Sequence, residues 1–133
     1  MVIHQFIYGY LAKEESYEEG DFIIQEGNRG DWVYVVLEGR VKVKKTTPKG
    51  MVTIDTLKEG EIFGEMILWQ AGTGLRTASV IAEGPVKVGV LQTEQLLKDY
   101  ESISPRLKIL LRSLIMRLAT TTRKAATMAV EMM

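Results

Sequence analysis

The stretch GDFIIQEGNRGDWVYVVLEGRVKV, Gly20 to Val43, decides how the rest of the chain is read. Its runs DFIIQ, DWVYVVLE and RVKVKKT (the last reaching Thr46) are rich in Val, Ile and aromatic residues. Such side chains fit a pleated surface, so the runs are predicted as strands. The segment EGNRGD between the first two supplies Gly and Asn, which tolerate the dihedrals of a tight reversal. VKVKK alternates apolar and charged residues, as a half-exposed strand does, whereas WVYVVL is apolar on both faces, as a buried strand is.

The same texture extends outward. MVTIDTL, RTASVIA and PVKVGVL read as further strands, and TPKG as a reversal, with Pro and Gly presetting the turn. Short strands at near-regular spacing predict a sandwich or barrel. After Gln92 the pattern changes. TEQLLKDY offers Thr93 as a helix cap with an acid in the first turn. Ser104-Pro105 opens a second helix, with Ser as cap and Pro at the first helical position. Its apolar seam is Leu107, Leu110, Leu114, Leu118, Thr121, Ala125, Met128 and Met132, in steps of three or four, the signature of a helix packed along one side. A helix running from Pro105 nearly to the end is longer than one β-roll covers. The same helix of a second copy is the expected partner for its distal half, giving a homodimer. One domain over residues 1–133 is expected, with the β-roll in 1–92 and a helical lid and dimerisation segment in 93–133.

Composition narrows the function classes. The 133 residues suffice for one domain with a core of its own. The formal charge is zero, so no global field draws the chain to nucleic acid or to a membrane. The basic residues after Arg106 are spread along the helix as a solvated face, and no direct DNA binding is expected. There is no cysteine, hence no disulfide and no thiolate metal site. The single histidine, His4, cannot supply the cluster of ligands a metal oxygenase on a similar roll would need, so neither a metal nor catalysis is expected. MVIHQFIYGYLAKEE lacks the organisation of a signal peptide, and no long apolar run predicts a membrane span. A cytoplasmic location is the expectation.

The chemistry concentrates in GEIFGEMILWQAGTGLRTASVIA, Gly60 to Ala82. A helix opening at Gly64 would point free N–H groups and its positive dipole end outward at Gly64, Glu65 and Met66, an anion-binding concavity. Arg76 adds a permanent cation able to fork onto two phosphate oxygens, Thr77 a hydroxyl and Ala78 a backbone donor. Glu65 is out of place at such a site unless it faces a neutral hydroxyl donor. The plainer alternative is that Glu65 and Arg76 form an ion pair that only holds the loop. No Gly-Lys-Ser/Thr loop and no GxGxxG fingerprint is present. Trp32 and Trp69 read as packing residues rather than as platforms for a base.

GEIFGEM followed by RTASV resembles the phosphate-binding cassette of cyclic nucleotide-binding domains, and GDFIIQEGNRGDWVYVVLEGRVKV is similar to that family's strand-turn-strand signature. The resemblance implies a mainly β fold, an eight-stranded β jelly roll (a double-stranded β-helix) closed by a short helix and one long C-terminal helix. It implies a non-catalytic sensor of cAMP or cGMP, with cAMP favoured, that relays binding through the long helix. By motif position Glu65 accepts the ribose 2′-hydroxyl, Arg76 pairs the cyclic phosphate, and Gly64, Met66, Thr77 and Ala78 line the pocket. In relatives resembling the catabolite activator protein, polar residues of the long helix touch the purine. Thr121 and Thr122 fall at those positions, or else are ordinary helix hydroxyls bonded to the preceding turn. The Glu65-to-Arg76 spacing is one or two residues longer than the family's, so a bulge is expected between Gln70 and Leu75. Regulators of this family carry a helix-turn-helix after the long helix, and this sequence ends where it would begin, so the output is expected to pass to a partner or to a longer chain. The alternative is a degenerate domain that serves only as a dimerisation or interaction unit.

Overall fold

The computed structural model describes residues 8–65 and 75–131. A 3₁₀ turn at Tyr8–Tyr10 leads into six strands, β1 (Leu11–Tyr17), β2 (Phe22–Ile24), β3 (Val33–Thr47), β4 (Gly50–Leu57), β5 (Ile62–Phe63) and β6 (Ser79–Leu91). Two helices follow, α1 (Thr93–Ser102) and α2 (Pro105–Glu131). The pairings are antiparallel throughout. β6 runs beside β3 over nearly its whole length. Around this pair the roll divides into two halves. β1 and β5 flank the C-terminal half of β6 and the start of β3. β2 and β4 flank the start of β6 and the end of β3.

The described residues thus form six strands, not the eight that the family resemblance implies. The predicted pair DWVYVVLE and RVKVKKT is one bent strand, and so is PVKVGVL with the Ser79–Ala82 part of RTASVIA. The ladder continues through both corners. At the β3 corner its register slips on each side of Glu38. Gly39 follows at φ +88°, where a Cβ would lie 2.4 Å from the Pro85 carbonyl oxygen, so the crossing chains meet at a point that admits glycine alone. Two strands escape the sequence reading. β1, LAKEESY, is mostly exposed and acidic and shows no apolar run. β5 has two residues and exists only because Tyr34 and Val35 pair with it.

Apolar residues on both faces of WVYVVL go to two places. Tyr34 and Val36 join the cluster between the halves of the roll, with Ile24, Val41, Phe63, Val80 and Val88. Val33 and Val35 point the other way, onto Leu91, Tyr10, Leu11 and Leu96. A fully buried Val such as Val35, Val41 or Val88 contributes about 1.5–3 kcal/mol. The Tyr34 and Phe63 rings stack with centroids 5.0 Å apart.

The two helices pack against the roll. Thr93 is not the cap expected of it. The cap position is Gln92, without a side-chain hydrogen bond, and the Thr93 hydroxyl instead donates to the Asp31 carbonyl, tying α1 to the β2–β3 connection. The Tyr10 hydroxyl donates to Asp99, and the Gln92 N–H to the Tyr10 carbonyl at 2.6 Å. Ser104 does cap α2, accepting from the Leu107 N–H at 3.2 Å. α2 lies along β4 and touches β3. Leu111, Ile115 and Ala125 are half-buried. The predicted seam is largely not the packed face: Leu107, Leu110, Leu114 and Leu118 are 42–54% exposed and Met128 is 60% exposed. Met132 lies outside the described residues.

Candidate functional site

A cavity of 380 Å³ opens between α2 and the roll. Ile54, Asp55 and Leu57 of β4 and Val43 of β3 form one wall, Leu118, Thr121 and Ala125 of α2 another, and Gly64, Glu65 and residues 75–78 the end. The volume falls within the roughly 300–1,000 Å³ typical of small-molecule clefts, which are mostly apolar with a few convergent polar groups. Ile54 sits where the register of β4 against β3 slips, which lets consecutive residues Ile54 and Asp55 both reach the cavity.

Arg76 is the centre of this end. Its backbone is clamped by the β2–β3 turn. The Gly27 N–H donates to the Arg76 carbonyl at 2.9 Å, the Arg76 N–H to the Asn28 carbonyl at 2.9 Å, and Arg29 bridges Leu75. The guanidinium donates from Nη1 to the Gly64 carbonyl at 3.1 Å and from Nη2 to the Trp32 carbonyl at 2.7 Å. Gly64 holds its carbonyl there at φ +80°, a left-handed conformation natural to glycine. Arg76 is only 8% exposed. Burial lowers its pKa, while the nearby Tyr34 and Asp31 raise it. No carboxylate lies within 4.0 Å of it among the described residues. A cation withdrawn from water and held by neutral carbonyls keeps unused donors for an anion.

Glu65 lines the same cavity, and no Glu65–Arg76 ion pair within 4.0 Å is present among the described residues. Burial raises its pKa, and a hydrogen bond from its own backbone lowers it in part. A carboxylate in such a place is stabilised by a donor hydroxyl.

Of the residues named from sequence, the fold thus brings Gly64, Glu65, Arg76, Thr77, Ala78 and Thr121 to one cavity. Met66, Trp69 and the bulge expected before Leu75 lie outside the described residues. Thr122 lies in α2, with its side chain outside them. Trp32 is 44% exposed, with the Lys13 ammonium 5.4 Å from its ring centroid, and contributes to the site through its backbone. Sequence reasoning missed Asp55, whose place on the wall depends on the β4 bulge. It also missed the clamp on residues 75 and 76, which joins segments some fifty residues apart and leaves no local signal. No group of three or more metal-ligating side chains occurs among the described residues. Nor is any described helix long and apolar enough to cross a membrane.

Known proteins place this geometry in context. The chain is 41% identical over 83 residues to the human cyclic nucleotide-gated channel beta-3, covering 60% of this chain and 10% of the channel. It superposes on the EAL enzyme Bd1971 in its cAMP-bound form with a TM-score of 0.73 at 31% identity, covering 82% of this chain and 29% of that one. The cGMP-bound form of the same enzyme gives 0.72 at 32% identity over 80% of this chain and 28% of that one. The catabolite activator protein of Thermus thermophilus gives 0.66 at 27% identity over 98% of this chain and 58% of that one. This chain therefore spans about a tenth of the channel's length and less than a third of the enzyme's. Residues 14–102, more than half of the chain, match the profile of the cyclic nucleotide-binding domain, and the protein belongs to that family.

Proposed function

We propose that the domain senses a cyclic mononucleotide, cAMP in preference to cGMP, performs no chemistry on it, and relays its binding through α2. The observation that carries this reading is Arg76, a buried cation with no carboxylate partner among the described residues, at the end of a cavity of ligand size. A cyclic phosphodiester is an anion with two free oxygens that a guanidinium fork matches. With the phosphate on Arg76, the ribose 2′-hydroxyl donates to Glu65, and Gly64, Met66, Thr77 and Ala78 surround the sugar-phosphate. The purine extends toward α2, where the Thr121 hydroxyl and the Asp55 carboxylate offer acceptors to the adenine amino group, with Thr122 beside them in sequence.

The helices of 93–133 serve as lid and dimerisation segment on the β-roll of 1–92. Leu118, Thr121 and Ala125 face the cavity, while Leu110, Leu114 and Met128 remain exposed. That stripe suits the same helix of a second copy, and ligand contact with α2 biases its position only through a difference in affinity between two helix arrangements. The output passes to an effector protein or to further parts of a longer chain.

Calorimetric titration with cAMP and with cGMP tests the reading. Saturable binding of both, tighter for cAMP, is expected. Tighter binding of cGMP overturns the base preference alone. Absence of binding to either leaves the domain as a dimerisation or interaction module.

A further inference from the structure

Next to residues 76–78, three segments meet in a polar cluster. The Lys45 ammonium of β3 donates to the Thr77 carbonyl. It lies 3.4 Å from Glu26 Oε2, with the two side chains only 22% and 23% exposed. Glu26 is itself fixed. Its Oε1 accepts the Thr46 N–H at 2.9 Å, and its own N–H donates to Ser79 Oγ at 2.9 Å. Ser79 is buried at the start of β6. The cluster therefore brackets Thr77 and Ala78 from residues 26, 45 and 79 together.

A trans peptide points its C=O and its N–H in opposite directions. The Thr77 carbonyl belongs to the peptide whose N–H is that of Ala78, and no described residue accepts from that N–H. With the carbonyl held by Lys45, the Ala78 N–H points away from that ammonium, on a peptide whose two residues both line the cavity. A cation on the carbonyl end also polarises the peptide and strengthens its N–H as a donor. This needs no contact between Lys45 and the ligand, and Lys45 does not line the cavity.

We infer that Lys45, held by Glu26, is a positioning residue for the anion site: it orients and polarises the Thr77–Ala78 peptide so that the Ala78 N–H donates to the ligand's phosphate beside Arg76. The inference rests on the cyclic nucleotide reading and adds to it a pair of residues outside the pocket.

The test compares wild type, Lys45→Met, Lys45→Arg and Glu26→Gln by calorimetric titration with cAMP and cGMP, together with nitrogen-15 NMR of the Ala78 amide. Lys45→Met is expected to weaken binding about tenfold, the range of one polarised hydrogen bond. The downfield movement of the Ala78 amide on saturation should shrink in it, and Lys45→Arg should restore both. Glu26→Gln should give a smaller loss with the same Ala78 signature. A role confined to stability would lower the melting temperature and leave the Ala78 response of the folded fraction unchanged. Wild-type affinity and a wild-type Ala78 response in Lys45→Met overturn the inference while the sensor reading stands. If Lys45→Met does not fold, the same two results in Glu26→Gln overturn it. Failure of the wild type to bind either nucleotide overturns the sensor reading and this inference with it.

Discussion

Replacing Arg76 by Met retains most of the side-chain volume and removes the charge, so it isolates the electrostatic part of ligand binding. Arg76 is 8% exposed, and its guanidinium is bonded only to the carbonyls of Gly64 and Trp32 among the described residues. A phosphate oxygen about 4 Å from its charge, at an effective permittivity of about 20, gains about 4 kcal/mol. That agrees with the roughly 2–5 kcal/mol lost when one partner of a buried, hydrogen-bonded charge pair is truncated. The expected result is a loss of cyclic nucleotide affinity of about a thousandfold, within a range of roughly thirtyfold to several thousandfold. Stability without ligand should move far less. The variant loses two charge-assisted hydrogen bonds, about 1.5–3 kcal/mol each, but is relieved of a desolvated cation of comparable cost. Titration calorimetry reports the affinity and a thermal melt of the free protein reports the fold. Binding within threefold of wild type, by a variant that melts as wild type does, would refute the assignment of Arg76 to the phosphate.

Three further outcomes are expected. In Gly30→Ala the new Cβ would lie 2.7 Å from Arg76 Nε and 2.8 Å from Nη2, so the guanidinium must move. Affinity should fall about tenfold or more with a stability change of about 1 kcal/mol or less, and an unchanged affinity would mean that Arg76 has slack the geometry does not suggest. Because burial raises the Glu65 pKa above its ordinary 4.5, between pH 4.5 and that raised value the folded protein holds a proton there that the unfolded chain has released. The stability contributed by that proton is present below pH 4.5 and is lost as pH rises through the folded value. A donor hydroxyl favours the carboxylate, so nucleotide binding should tighten and release a proton as pH rises across that window. Calorimetry over a pH series rising from 4.5 checks this, and Glu65→Gln should abolish the dependence. Finally, the wild type should sediment as a homodimer at micromolar concentration, whereas Leu110→Glu combined with Leu114→Glu, both on the exposed stripe of α2, should sediment as a folded monomer. A monomeric wild type with and without nucleotide would leave that stripe without its second copy. Ala125 would not serve for this test, since it faces the cavity.

The part of this protein determined by its sequence is what acts locally. Runs of Val, Ile and Tyr between glycines declare strands because side-chain shape and backbone freedom operate over a few residues. Ser104-Pro105 declares the start of α2 for the same reason, and the capping bond is present. The order of Gly64, Glu65, Arg76, Thr77 and Ala78 carries the family pattern, so candidate site residues are readable along the chain; their roles stand as proposals. What only the tertiary structure decides is whatever depends on distant partners. Gly39 could end a strand or bend one, and the choice falls to its crossing with Pro85, forty-odd residues on. β1 carries too few apolar residues to announce itself and becomes a strand because β6 offers an edge. Thr93 has the chemistry of a cap, but a carbonyl from the β2–β3 connection takes its hydroxyl. The α2 seam is apolar by sequence, yet which of its residues meet the roll is set by how the helix lies on β4, so Ala125 turns in and Leu110 turns out. The cluster of Glu26, Lys45 and Ser79 next to Thr77 joins three separate stretches of chain, and spacing along a sequence has no means of encoding a distance in space.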